Sequence, residues 1–145
     1  MGKNNFASDG TDGLRFDIKM VKRILIVDDE SDVCFALEEV LREEGFVVDS
    51  YEHPLVALDK FKPHLYNLVI LDIRMPELNG FALYREIKKL DKKVKVCFLT
   101  AGEMYYGVYS DIFSSVPANC FIRKPIENEE LKRRVNEIIV DDTNI

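Results

Sequence analysis

Four short apolar runs each hand over to polar residues at their carboxyl end. "RILIV" leads to Asp28 and Asp29, "LVIL" to Asp72, "VKVCFL" to Thr100, and "CFI" to Lys124-Pro125 after one arginine. Aspartate is seldom buried unless paired, so Asp72 at the edge of a core-like run needs a reason. Taken singly, each feature has an ordinary one. An Asp-Asp pair is often a helix-capping turn, a threonine ending a strand often reflects β-propensity, and a lysine before proline is usually surface charge. Their coincidence changes the reading. If the first and third runs are neighbouring strands, three carboxylates converge on one cleft. Two like charges about 4 Å apart repel by roughly 4 kcal/mol at an effective dielectric of about 20. Such a cluster needs cations. Lys124, one strand over, supplies one charge, and a divalent metal supplements it. An open, all-oxygen site with few protein ligands suits Mg²⁺, which keeps several waters and accepts a phosphate oxygen. A carboxylate beside that ion and an ammonium can attack phosphorus, with Thr100 donating to an oxygen of the transferring group. On this reading Asp72 is a phosphoryl acceptor and its apolar strand is a rigid mount.

The elements that must position these residues alternate along the chain from Lys22. "RILIV", "VVDSY", "LVIL", "VKVCFLT" and "CFI" have the composition of strands, and the most apolar of them suit burial on both faces. Between them, "DDESDVCFALEEVLREEG" carries Val33, Ala36, Leu37, Val40 and Leu41 at helical spacing, with Ser31 expected as cap and Gly45 as terminator. "HPLVALDKF" reads as a short helix with Pro54 in its first turn. "GFALYREIKKL" places Leu83, Ile87 and Leu90 on one face. "EMYYGVYSDIF" is a weaker helix interrupted by Gly107. "NEELKRRVNEIIV" has an apolar stripe of Leu131, Val135, Ile138 and Ile139 and an acidic first turn that suits the helix dipole. Strands alternating with helices imply an open α/β sheet of five parallel strands with five helices on its two faces. In such sheets function gathers outside the carboxyl ends of the strands, where the polar residues stand.

Composition narrows the class. The chain has 145 residues, is 47% hydrophobic and 32% charged, and carries a net charge of −6. That suits one domain, residues 22–140, with a substantial core. Residues 1–21 are Gly-, Asp- and Asn-rich without sustained period and read as an extension or remnant, and 141–145 as a tail. No apolar run is long enough for a membrane span, and the leader does not resemble a signal peptide. A cytoplasmic protein with no membrane partner is expected. Cys34, Cys97 and Cys120 are too scattered for a zinc site, and their odd number argues against a disulfide framework. Buried thiols are expected. The basic cluster Lys132 to Arg134 reads as the solvated face of a helix, so no direct nucleic-acid binding is expected. His53 and His64 lie in polar stretches and read as surface residues.

The blocks "ILIVDDE", "VILDIRMPELNG", "VCFLTA" and "FIRKPI" together resemble the signature of the response-regulator receiver domain, the phosphorylated half of two-component signalling. The likeness runs from about Lys22 to Val140. It implies a flavodoxin-like, doubly wound sheet in the order 2-1-3-4-5. It also implies that Asp72 takes a phosphoryl group from a histidine on a sensor kinase or phosphotransfer protein. Asp29, Asp72 and the backbone carbonyl of Arg74 would hold Mg²⁺ directly, and Asp28 mainly through water. Thr100 and Lys124 would grip phosphoryl oxygens, and the Lys124-Pro125 bond would be cis. Phe121 matches the aromatic switch position. Its ring is expected to turn inward as Thr100 moves, reshaping the face of the fourth helix, fifth strand and fifth helix for a downstream protein.

Departures from the family pattern concern that output face. "YSDIFSSVPANC" replaces a small-residue turn, and Gly102 follows Thr100 and Ala101. Arg74 and Gly102 match positions that line the phosphoryl entrance. Tyr105, Tyr106 and Tyr109 form either a docking surface or an inward-packing cluster. The expected role is a stand-alone phosphorelay signalling module rather than an enzyme, with homodimerisation open. One alternative is a receiver fragment of a hybrid kinase or transcription factor. Another is an aspartyl-phosphate phosphatase, but Asp72-Ile73-Arg74 lacks the second aspartate of that D-x-D pattern. A flavin mononucleotide binder would find Asp28 and Asp29 repulsive.

Overall fold

The computed structural model describes residues 21–102 and 109–140. Residues 1–20 of the leader, Tyr105, Tyr106, Gly107 and the last five residues lie outside that range. Five strands form one parallel sheet: β1 (Arg23–Val27), β2 (Val47–Tyr51), β3 (Leu68–Asp72), β4 (Lys95–Thr100) and β5 (Phe121–Arg123). Their order is β2-β1-β3-β4-β5, as the family resemblance implies. Five α-helices connect or follow them: α1 (Ser31–Glu43), α2 (Pro54–Lys60), α3 (Gly80–Leu90), α4 (Ser110–Ser115) and α5 (Asn128–Val140). A 3-10 turn at Ala118–Cys120 precedes β5.

The central strands explain the continuous apolar runs. Every residue of β3 is buried, as are Ile24 to Val27 of β1 and all of β4 but its first residue. A strand covered by helices on both sides has no polar face to offer, so alternation disappears. The three cysteines are buried free thiols, as expected. His53 and His64 are exposed, and the Lys132 to Arg134 cluster pairs with Glu129, Glu130 and Glu137 along the surface of α5.

Three local expectations are corrected. Ser31 is not the cap of α1. Glu30 occupies that position without a side-chain cap, and Ser31 is the first helical residue. Asp28 Oδ1 accepts the Glu30 N–H at 2.9 Å and so fixes the turn that precedes the helix. On the same helix Ala36 is exposed, and Cys34 instead joins Leu37, Val40 and Leu41 inside. Leu90, the last residue of α3, is 47% exposed, whereas Leu83 and Ile87 are fully buried. Gly45 does terminate α1, with φ +97, a conformation that suits glycine.

Candidate functional site

Register brings the polar residues together. Val27 pairs with Leu71, so Asp28 and Asp72 leave β1 and β3 at the same level. Asp72 pairs with Leu99, and Thr100 with Arg123, which places Thr100 and Lys124 at the next level on the other side. Main-chain bonds fix the loops that carry them. Lys124 N–H donates to the Thr100 carbonyl at 2.8 Å, and Ile73 N–H to that of Leu99 at 3.1 Å. The β3–α3 loop closes on itself where Gly80 N–H donates to the Ile73 carbonyl at 2.8 Å, after a left-handed residue at Glu77. Gly80 is obligatory there, since a Cβ would stand 2.3 Å from the Asp72 carbonyl oxygen.

The result is an acidic cleft that holds, among the described residues, the ammonium of Lys124. Ligand oxygens of Asp28, Asp29 and Asp72 lie within 4.8 Å of one another. Lys124 Nζ stands 2.9 Å from Asp28 Oδ2, 3.0 Å from Glu30 Oε1 and 3.3 Å from Asp72 Oδ1. Asp28 is fully buried, and Asp72 and Thr100 nearly so. Beside them opens a cavity of about 300 Å³, lined by Asp29, Asp72, Arg74, Thr100, Ala101 and Lys124 among others. The Thr100 hydroxyl accepts the Gly102 N–H at 3.0 Å. Gly102, at φ +106, lies against the Arg123 guanidinium. Lys124-Pro125 is cis.

Electrostatics follow from this crowding. Burial pushes the Asp72 carboxyl up to about 7, the Asp28 charge adds to the rise, and Lys124 opposes it. Burial also raises Asp28, against the pull of Lys124 and the Glu30 N–H. For Lys124, burial alone would lower the ammonium's pKa. Contacts with Asp28, Glu30 and Asp72 outweigh it, and the net shift is upward. The cleft therefore holds more negative charge than its one ammonium balances.

These sheet-end positions agree with a wider match. The response regulator receiver domain family matches this chain over residues 24–136. The chain is a receiver domain of that family. The receiver is 32% identical over 123 residues to the chemotaxis protein CheY of Bacillus subtilis, covering 83% of this chain and 99% of that one. It is 29% identical to the transcriptional regulatory protein CreB of Escherichia coli over 80% of this chain, but spans only half of CreB. Among solved structures it resembles the response regulator TrrA of Thermotoga maritima in complex with Mg²⁺ and BeF. The identity is 37%, the TM-score 0.64, and the coverage 81% of this chain and 99% of that one. TrrA in complex with the histidine kinase ThkA aligns with 38% identity and a TM-score of 0.67, over 81% of this chain and 98% of that one.

The receiver's donor set fits a hard dication. It offers three carboxylates and the backbone of a tight loop, all oxygen. Asp28 Oδ2 is buried, and the cation beside it among the described residues is the Lys124 ammonium at 2.9 Å, which it shares with Glu30 and Asp72. Every side chain that the sequence pointed to as acceptor, metal ligand or phosphoryl grip lies at this cleft. Phe121, the expected switch, lies apart from it. Its half-buried ring stacks between Phe98, at 5.4 Å, and Phe113, at 5.3 Å. The sequence reading missed Glu30, the third carboxylate on Lys124. Its position two residues beyond Asp28 was the available signal. It also left Tyr109 open. That ring packs inward on Phe81 at 4.9 Å.

Proposed function

We propose that this receiver accepts a phosphoryl group on Asp72 from a phosphohistidine, in a Mg²⁺-dependent step, and thereby signals to a partner protein. The observation that carries the reading is the packing of Asp28, Asp29 and Asp72 within 4.8 Å around a shared Lys124. Asp29, Asp72 and the Arg74 carbonyl would hold the ion, with Asp28 assisting through water. When bound, the ion neutralises and orients phosphoryl oxygens. Asp72 supplies the attacking oxygen. Its bond to phosphorus forms as the phosphorus–nitrogen bond breaks, and that electron pair leaves with the imidazole. Lys124 balances charge on the transferring group, and the Thr100 hydroxyl donates to one of its oxygens. The chain acts on its own phosphorylation state rather than turning over an outside substrate.

A groove of about 430 Å³ supports a helical kinase partner. It runs between α1 and the β5–α5 loop, lined by Val33, Ala36, Leu37, Pro125 and Ile126, and it shares Lys124 with the acceptor cavity. An apolar strip bordering the acceptor suits an amphipathic helix that presents a histidine. The ThkA complex with TrrA supports the same class of partner. Output is assigned to the α4–β5–α5 face, through Thr100 and Phe121.

Incubation with a small phosphodonor and Mg²⁺ is expected to add one phosphoryl group by intact mass, and Asp72→Asn to abolish it. Equal incorporation in the variant would refute the assignment.

A further inference from the structure

The loop that carries Arg74 ends at Asn79, and Asn79 is bonded in two directions. Its Oδ1 accepts the Ala82 N–H at 2.9 Å and so caps α3. That contact fixes the amide orientation, and leaves Nδ2 to donate to the Tyr109 hydroxyl at 3.1 Å. Tyr109 is the residue from which α4 starts. Its carbonyl accepts the N–H groups of Ile112 and Phe113 at 3.0 and 3.4 Å. One residue thus holds the first turn of α4 by its main chain and the end of the acceptor loop by its hydroxyl. The ring between is clamped. It lies 4.9 Å from the Phe81 ring, the Arg85 guanidinium sits 5.1 Å above it, and Arg85 also pairs with Asp111 of α4 at 2.7 Å.

We infer that Tyr109 is a positioning residue that couples the acceptor loop to α4, by a route separate from Thr100 and Phe121. The inference rests on the reading of Asp72 given above and deepens it. The loop from Ile73 to Gly80 is a closed ring, so a pull on the Arg74 carbonyl is carried to Asn79. Asn79 cannot yield toward the site without stretching its bond to Tyr109, and the clamped ring carries that displacement into α4. Phe113, one turn along, stacks on Phe121 at 5.3 Å, so both routes end at the same aromatic group.

The test uses the whole ¹⁵N-labelled chain, with Mg²⁺ and beryllium fluoride as probe. The amide of Ile73 reports the site, and those of Ile112 and Phe113 report α4. In the unaltered protein both sets are expected to shift. Tyr109→Phe keeps the ring and its cation contact but loses the hydroxyl. Asn79→Ser keeps a capping oxygen but is too short for Tyr109. In both, the Ile73 response is expected to persist while the α4 response falls below half. Asn79→Asp preserves the cap and can accept from the tyrosine hydroxyl, so its α4 response is expected to stay near that of the unaltered chain. An undiminished α4 response in Tyr109→Phe, or equal losses in Asn79→Asp and Asn79→Ser, overturns the coupling. A silent Ile73 in the unaltered protein overturns the reading of Asp72 beneath it.

Discussion

Lys124 Nζ stands 3.3 Å from Asp72 Oδ1, while the same ammonium also contacts Asp28 and Glu30. One ammonium therefore contacts three carboxylates, and Asp72 receives only a share of its charge. That shortage explains why burial can lift Asp72 to about 7 despite an ammonium beside it. The same shortage is expected to make the cleft's stability sensitive to pH and to added dications.

Asp72→Asn is expected to stabilise the protein in chelator at pH 8. The folded carboxyl titrates near 7 against about 3.9 when unfolded. A raised folded pKa gives stability that is full below about 3.9 and is lost as pH rises through 7. At pH 8 the unaltered protein lacks that contribution, and asparagine removes the repulsion. A gain of roughly 1–2 kcal/mol, or about 3–6 °C in Tm, should shrink toward pH 5. Thermal melts across that range check it, and a gain that grows on acidification would contradict it.

Mg²⁺ is expected to raise the Tm of the unaltered protein at pH 8 by mass action. Asp72→Asn should respond several-fold more weakly, because one anionic ligand is gone. A titration of Tm against Mg²⁺, with Asp91→Asn as a control remote from the cleft, measures the difference.

Lys124→Met should destabilise by roughly 2–4 kcal/mol at pH 8, since it leaves buried carboxylates without their counter-charge. The ammonium's folded pKa is shifted upward, so its contribution is complete below its unfolded value near 10.4 and is lost only in more alkaline solution. The penalty should ease near pH 6 as Asp72 gains a proton. Urea unfolding at the two pH values tests this.

Gly80→Ala should cost about 2–3 kcal/mol by overpacking, because the new Cβ meets the Asp72 carbonyl oxygen at 2.3 Å. Either α3 or β3 must shift. Phosphoryl incorporation should therefore fall at least tenfold, even at temperatures where the variant is folded by circular dichroism.

Asp91 offers the opposite pH sign. It is 3% exposed and accepts the N–H groups of His64 at 2.8 Å and Lys93 at 3.1 Å. Burial alone would raise its carboxyl, but these bonds outweigh it and the net shift is downward. Its stabilisation is present above about 3.9 and is lost as pH falls through the folded value below that. Asp91→Asn should cost about 1–2 kcal/mol at pH 7, with the gap closing below pH 4 in urea melts.

Much of this was legible in the residues. Strand runs such as Leu68 to Leu71 declare themselves because a doubly covered strand has no polar face. The residues that follow them fall at one sheet edge because parallel strands all end there. Asp28, Asp29, Asp72, Thr100 and Lys124 could therefore be assigned to one cleft from spacing and the family resemblance together. Details set by rotation about a helix axis were less secure. Ala36 and Cys34 are two positions apart, about 200° around the helix, so they flank the Leu37 to Leu41 stripe on opposite sides, and packing against the sheet covers only the Cys34 flank.

Local patterns along the chain set the order of elements and the polar residues at the strand ends, because periodicity and strand direction need no distant partner. What those residues touch follows from the folded arrangement. Lys124 divides its charge among three carboxylates, Gly80 seats α3 on the Asp72 carbonyl, and Tyr109 reaches Asn79 thirty residues away. Each of these depends on register and helix docking, which place distant residues within a few ångströms, and no local pattern records such distances.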